Sequence, residues 1–436
     1  MASEVSTFTT PIADAPLARR FSPAWRLALL AAGGLVGVLG LTLAVSWVMG
    51  VGSWGVNIPF VWGFDLTNYA WWIGIANGAS LFAAILVLRR HSLRTAVNRF
   101  AEAVALSGAI CAGLFPIIHL GRPWLFYWVF PYPATYEVWP QFRSTLTWDL
   151  WGILTHIIVL GLLWYVGLIP DFATMRDRAR SSRRQRIYGI LALGWRNSVR
   201  HWSYHQTAYR LVAVLVLPLL TMMQSIVALE FATTLVPDWH ETRLPLHFVA
   251  TGLAQGLAIV LLVAALLRWG LSLEQHIDDR DLDLLGKLVL ASALVAGYLM
   301  LDEVAAAYLS EPSEWTATRN RITGEYAGYF LAALVFSVVV PQLLWFRAAR
   351  VSVLAAAYVG VSVSLGVWFD RFSIVIGGAQ RDYLPSMWRS YAPTLVETGL
   401  LVGTVGLFAA LLLLFVRFVP AVSMFETRHD EHEDRA

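Results

Sequence analysis

Ten separate stretches of about twenty apolar residues follow one another along this chain, and that repetition limits its fold more than any other feature. A helix of roughly 20 residues crosses a hydrocarbon core about 30 Å thick. Backbone N–H and C=O groups find no water there, which excludes open sheets. The apolar runs predict spans near 26–49, 67–88, 100–120, 147–168, 209–234, 245–269, 286–308, 326–346, 352–376 and 394–419. Hydrophobic residues make up 58% of the 436 positions and charged ones 14%, so the same chain in water would precipitate. The expectation is an all-α integral membrane protein with about ten transmembrane helices. The first span is too long for a signal-peptide core and no small-residue cleavage site follows it, so it reads as an uncleaved anchor.

Orientation follows from the basic residues, which are retained on the cytoplasmic side during insertion. An inside N-terminus places most of the 32 Lys and Arg inside, nine of them from Arg176 to Arg210. Both termini are therefore expected in the cytoplasm. The net charge of +3 is explained by this asymmetry and calls for no nucleic-acid partner. The basic loop from Arg176 to Arg200 suits anionic lipid headgroups. The outside connections are instead rich in Trp, Tyr and Pro. The longest, Gly121 to Trp148, reads either as an aromatic belt or as a shaped cover over a site.

Cysteine and histidine restrict the chemistry. Cys111 is the single cysteine, which excludes an intrachain disulfide, a cysteine-held iron–sulfur cluster and a Cys-x-x-Cys-His haem attachment. A b-type haem would need facing histidines, but only His156 lies well inside a span, with His119 and His247 at span ends. No haem and no cluster is expected in this chain, and any redox role rests on a diffusible carrier and partner proteins.

Ionisable residues in a membrane are costly and usually face a cavity or a partner. Following each span's direction brings several to the outer leaflet: His119 closing the third span, Asp149 opening the fourth, Glu230 late in the fifth, Asp302 and Glu303 late in the seventh, Asp370 and Arg371 late in the ninth. Polar residues at helix ends are ordinary, but Glu230 and Arg371 lie a turn or more inside the apolar boundary. An acid at that depth needs a partner, which an arginine would supply. Oxidising a quinol removes two electrons and two protons, a task suited to a His at one hydroxyl and a carboxylate at the other. The same residues would equally serve a proton relay or a transporter's ion site. His156, Gln224, Gln255 and Ser292 lie nearer midspan, where interhelical hydrogen bonding is the commoner role and a polar track the alternative.

Several strings carry a resemblance: PIIHLGRPW (Pro116 to Trp124), PYP (Pro131 to Pro133), QFRSTLTWDLWG (Gln141 to Gly152), WYVGLIPDFATMRDR (Trp164 to Arg178), VPQLLWF (Val340 to Phe346), WFDRFSIVIGG (Trp368 to Gly378) and DYLPSMWRSYAPTLVE (Asp382 to Glu397). Together they resemble the polysulfide reductase membrane-subunit family, the NrfD family. They are most similar to its ten-helix branch, the quinol-binding core subunit of alternative complex III, rather than to that subunit's paralogue. The resemblance implies a ten-helix domain at 26–419, with a first four-helix bundle at about 67–234, a second at about 245–376, and cytoplasmic tails at 1–25 and 420–436. It implies a location in the bacterial cytoplasmic membrane and a quinol pocket near the periplasmic face. His119 and Asp149 would be catalytic there, and His119, Asp149, Glu230 and Arg371 would bind the quinol. At the fifth span the family pattern has Asp where this chain has Glu230.

The implied activity is that of a subunit of a quinol:electron acceptor oxidoreductase, using menaquinone or ubiquinone as a diffusible substrate. The implied partners are a periplasmic iron–sulfur protein, multihaem and monohaem cytochromes c, a paralogous subunit and small membrane subunits, with proton translocation as a further possibility. The alternatives are a structural or proton-conducting paralogue without quinol turnover, and a secondary transporter. Against a transporter, prolines sit mainly near span ends, with Pro218 the main interior exception.

Overall fold

The computed structural model describes residues 16–17, 22–58, 60, 63–89, 93–129, 145–236, 238–381, 384–424 and 427. The Gly121 to Trp148 connection is described only to Val129, as a short 3-10 turn over Pro123–Val129, so the expected aromatic cover falls largely outside these residues. Among the described residues every regular element is helical. In chain order the helices are α1 (Pro23–Met49), α2 (Phe64–Arg89), α3 (Leu93–Ile118), α4 (Thr145–Arg178), α5 (Ser182–Leu191) and α6 (Val199–Ala232). They continue as α7 (Leu244–Leu271), α8 (Asp279–Leu309), α9 (Pro312–Thr323), α10 (Ala327–Trp345), α11 (Val353–Gly377) and α12 (Leu395–Phe418). All but α5 and α9 are long and apolar enough to cross a membrane, which makes ten spans. The protein is an all-α integral membrane protein, as its hydropathy predicts.

Helix ends carry local signals. Ser22 and Ser198 cap α1 and α6 by accepting the backbone N–H of Trp25 and His201, each at 3.2 Å. Asp278 with Asp281, and Thr394 with Glu397, form reciprocal capping boxes at the starts of α8 and α12. Helices α4, α6 and α8 extend beyond the apolar windows, because a polar helical turn outside the hydrocarbon carries no hydropathy signal.

Helix α2 is the centre of the molecule, with 89% of its apolar window buried, against 17% for the peripheral α1. It packs on α3, α6 and α7, while α3 and α6 each pack on α4. Helix α7 packs on α8 and α11, and α11 packs on α10. Helices α1 and α12 pair with each other and lean on this body through α3 and α2. Where α2 crosses α7, Gly74 and Gly78 face Gly252 and Gly256, two small-xxx-small pairs that let backbones touch. A Cβ on Gly78 would sit 2.1 Å from the Gly252 carbonyl oxygen. Successive spans alternate direction, so the α1–α2, α3–α4, α6–α7, α8–α10 and α11–α12 connections share one end, here the aromatic end. The opposite, basic end carries the arginine-rich α4–α6 connection.

Candidate functional site

At the aromatic end, α2, α3, α4 and α6 bring five ionisable side chains together. Helix α2 opens with Asp65, an acid in the first turn where the helix dipole favours one. Its Oδ1 accepts from the Gly63 N–H at 3.1 Å, and its Oδ2 lies 2.7 Å from His119 Nε2. Tyr69 stands four residues on, and so on the same face of α2. Its hydroxyl donates to Asp149 Oδ1 at 2.6 Å. Asp149 in turn shares a side-chain hydrogen bond with Glu230. A hydrogen bond between two carboxyls requires that one of them carry a proton.

His119 is placed by the end of α3. Its backbone N–H donates to Phe115 O at 2.8 Å, continuing the helix by one bond. Gly121 then takes φ +64°, a left-handed turn that a side chain would strain, and the chain leaves the helix. The imidazole packs against the rings of Tyr69 and Phe115, with centroids 6.3 and 6.2 Å away. Asp65, Tyr69 and Asp149 are buried, and the side chain of His119 is 2% exposed. Both ring nitrogens of His119, Asp65 Oδ2 and Glu230 Oε1 are buried without a hydrogen-bond partner, Nε2 and Oδ2 meeting only as a close contact. Among the described residues no Arg or Lys reaches Asp65, Asp149 or Glu230, whose side-chain neighbours are His119 and Tyr69.

Of the four residues singled out in the sequence, His119, Asp149 and Glu230 thus lie in one cluster. Arg371 lies in another, and the partner of Glu230 is a carboxyl rather than an arginine. Arg371 Nη1 donates to Asp370 at 2.7 Å and Nη2 to Thr251 Oγ1 at 2.6 Å, while its guanidinium sits 3.6 Å from the centre of the Phe248 ring. His247 Nε2 bonds Asp370 Oδ2 at 2.9 Å. Beside this group Arg321, on the non-spanning α9, is ion-paired with the buried Glu303 of α8, and Glu303 is hydrogen-bonded to Glu241. Asp302 faces Arg243 at 3.6 Å, both partly exposed. Outside the spans, burial pushes the Asp238 carboxyl up to about 6, and burial with the neighbouring Glu303 pushes Glu241 up to about 8.

Sequence reasoning passed over Asp65 and Tyr69. The signal was present, since Asp65 opens the second span as Asp149 opens the fourth, but the polar FDLTN start lowers the local hydropathy and moves the apparent span start to 67. The midspan candidates form no line. Gln224 accepts from Asn77 at 2.5 Å and donates to Phe248 O at 3.1 Å; Gln255 reaches Ser364 at 3.5 Å; Ser292 bonds within its own helix. His156 is fully buried with both ring nitrogens unpartnered.

A latch fixes the start of α2. Glu397 at the head of α12 accepts from the backbone N–H of Gly55 at 2.8 Å and from the Tyr391 hydroxyl. The same hydroxyl oxygen accepts from the N–H of Phe64 at 2.9 Å, next to Asp65.

The comparisons with known proteins agree with this architecture. A protein of Halobacterium salinarum, named as a putative membrane subunit of dimethyl sulfoxide reductase, is 24% identical over 421 residues, covering 89% of this chain and 91% of its own. The family described as "Polysulphide reductase, NrfD" matches residues 53–381, a region that contains both buried clusters. With three quarters of its length inside that match, the chain belongs to the NrfD family of polysulphide reductase membrane proteins.

Proposed function

We propose that this protein is the membrane subunit of a quinol-oxidising complex, and that the quinol binds at the aromatic end beside His119, Asp149 and Glu230. The observation that carries the reading is the proton inventory of that cluster. Asp65 and Asp149 are buried and Glu230 is half-buried beside them, and these three carboxyls stand with one histidine and, among the described residues, without an arginine. Such a set holds and passes protons rather than fixing an ion pair.

In this reading one ring hydroxyl gives its proton to His119 Nδ1, the ring nitrogen that is not beside Asp65. Asp65, 2.7 Å from Nε2, orients the ring and stabilises the charge that the imidazole gains. The other hydroxyl faces the Asp149 and Glu230 pair, whose unpartnered Glu230 Oε1 takes the second proton. The Tyr69 hydroxyl holds Asp149 in place through its 2.6 Å bond. Two electrons leave with the two protons, and they pass to a redox centre on a partner, because this chain supplies one cysteine, Cys111, buried in α3. The partners belonging to this reading are the iron–sulfur and c-type cytochrome subunits of an alternative complex III type assembly. The aromatic end then faces the periplasm and both termini the cytoplasm of a bacterium, with α2–α6 and α7–α11 as the two bundles.

Arg371 belongs to the proposed pocket as a boundary residue. Its neighbour Phe248 accepts from Gln224, and Gln224 lies on α6 with Glu230. The test is Asp149→Asn in the intact assembly, with quinol-dependent reduction of the acceptor measured per assembled complex. Loss of turnover with assembly retained is expected. Full turnover would leave a scaffolding subunit as the better description.

A further inference from the structure

The second buried cluster adjoins two cavities that the His119 cluster does not touch. One, of about 190 Å³, lies between α7 and α8 and is lined by Leu244, Leu246, His247 and Leu299 together with Glu241 and Glu303. Leu246 is 60% exposed on a membrane-spanning helix, so this cavity borders the lipid. The other, of about 230 Å³, lies beneath α9 and is lined by Asp238, His240, Glu314 and Arg321, again with Glu241 and Glu303. Glu314 is exposed on the non-spanning α9, so this side borders water. The hydrogen-bonded pair Glu241 and Glu303 forms the wall between the two.

The polar end of the lipid-side cavity states what it can hold. Asp370 accepts from Arg371 as well as from His247, and a carboxylate between two such donors only accepts, so His247 Nε2 carries the hydrogen. In the neutral ring Nδ1 is then an acceptor, and it is buried without a partner in a side chain 5% exposed. The other walls are Leu244, Leu246 and Leu299, with Glu241, Glu303 and the Arg243–Asp302 ion pair at the rim. Arg243, the cation in this lining, is already ion-paired with Asp302 at 3.6 Å, so Glu241 and Glu303 disfavour an anionic headgroup, and the volume suits one ring rather than an acyl chain. The missing partner is therefore an uncharged hydroxyl on a flat apolar body that arrives through lipid.

We infer that the cavity between α7 and α8 is a second binding site for a quinol-class ring, which donates a hydroxyl to His247 Nδ1 and rests against Leu244, Leu246 and Leu299. This site is separate from the one at His119, and either assignment stands or falls without the other. The inference concerns binding, and no electron transfer is assigned to it.

A photoreactive azidoquinone with a short tail, applied to membranes containing the protein in its own assembly and followed by peptide mapping, tests both sites at once. The expected result is labelling of α7 and α8 peptides that contain Leu246 and Leu299, in addition to labelling around His119, with excess unlabelled short-tailed quinone suppressing each. Leu299→Trp fills the lipid-side cavity and should lower the α7 and α8 label at least tenfold while sparing the His119 label. The competition arm needs no variant and decides the matter if Leu299→Trp does not assemble. Label confined to the His119 region overturns the second site, as does α7 and α8 label that the competitor cannot displace. Displaceable label at α7 and α8 alone upholds the second site and overturns the first.

Discussion

The protein buries a cluster around Arg99 at the basic end and a cluster around His119 at the aromatic end, and these two clusters balance their carboxyls differently. At the basic end, Arg99 of α3 donates from Nε to Asp171 of α4 at 3.0 Å and reaches the Tyr209 hydroxyl of α6 and Ser423 after α12, each at 3.3 Å. Asp171 also accepts the Met424 N–H at 3.1 Å, and Glu102 accepts from Asn98 at 2.7 Å and from Tyr209. At the aromatic end Asp65, Asp149 and Glu230 face a histidine and a tyrosine. A guanidinium is a permanent cation, so a carboxylate paired with it remains an ion and acts as a tie between helices. Carboxyls without one are able to hold and release protons, which is the ground on which we propose the His119 cluster as the place for chemistry.

The comparison breaks most sharply on Asp149. In the intact assembly Asp149→Asn should lower quinol turnover by a factor of about 10² to 10⁴, the usual contribution of a positioned acid or base, with thermal stability near that of the wild type. The reverse pattern is expected at the other end. Arg99→Met leaves Asp171 and Glu102 buried without their cation and should cost roughly 3–5 kcal/mol of stability, read as a fall in melting temperature and in membrane yield. Turnover per surviving complex should stay near normal; a proton-coupled defect in Arg99→Met would erase the distinction between the ends.

Smaller effects sharpen the same contrast. Tyr69→Phe removes one hydrogen bond to a carboxyl and should slow turnover about tenfold while leaving assembly intact, measured as steady-state quinol oxidation. A shift in melting temperature comparable to that of Arg99→Met would instead give Tyr69 a structural role. The smallest effect concerns Glu241 and Asp238. Their carboxyls stand above the ordinary range in the folded protein, at about 8 and about 6, so the stability linked to them is complete in acid and is lost as pH rises through those values. The melting temperature in detergent should therefore decline between about pH 4 and pH 8, and Glu241→Gln should flatten the upper part of that decline. An unchanged slope in Glu241→Gln would remove Glu241 from the account.

Hydropathy made the ten spans legible because bilayer thickness fixes both their length and their composition. The candidate site was partly legible for a related reason: an acid or histidine at a span's edge stands out against an apolar background. Asp149, Glu230 and His119 were found that way, and Asp65 was lost because it sits in the polar first turn that blurred the start of α2. Pairings were not legible. Asp171 meets Arg99 across 72 positions, and Arg371 takes its own neighbour Asp370 rather than Glu230, choices made by helix packing. The facing pairs Gly74 with Gly78 and Gly252 with Gly256 were readable as small-xxx-small motifs, but which two spans they join emerges only from the fold.

The latch at Glu397 bears on how the protein is made. Spans enter the bilayer in order of synthesis, N-terminal ones first. Asp65 and Tyr69 thus reach the membrane early, while the carboxylate that secures the head of their helix arrives on the tenth span. The His119 cluster is accordingly one of the last features to mature. A nascent chain halted before α12 would hold its acids without the frame that aligns them.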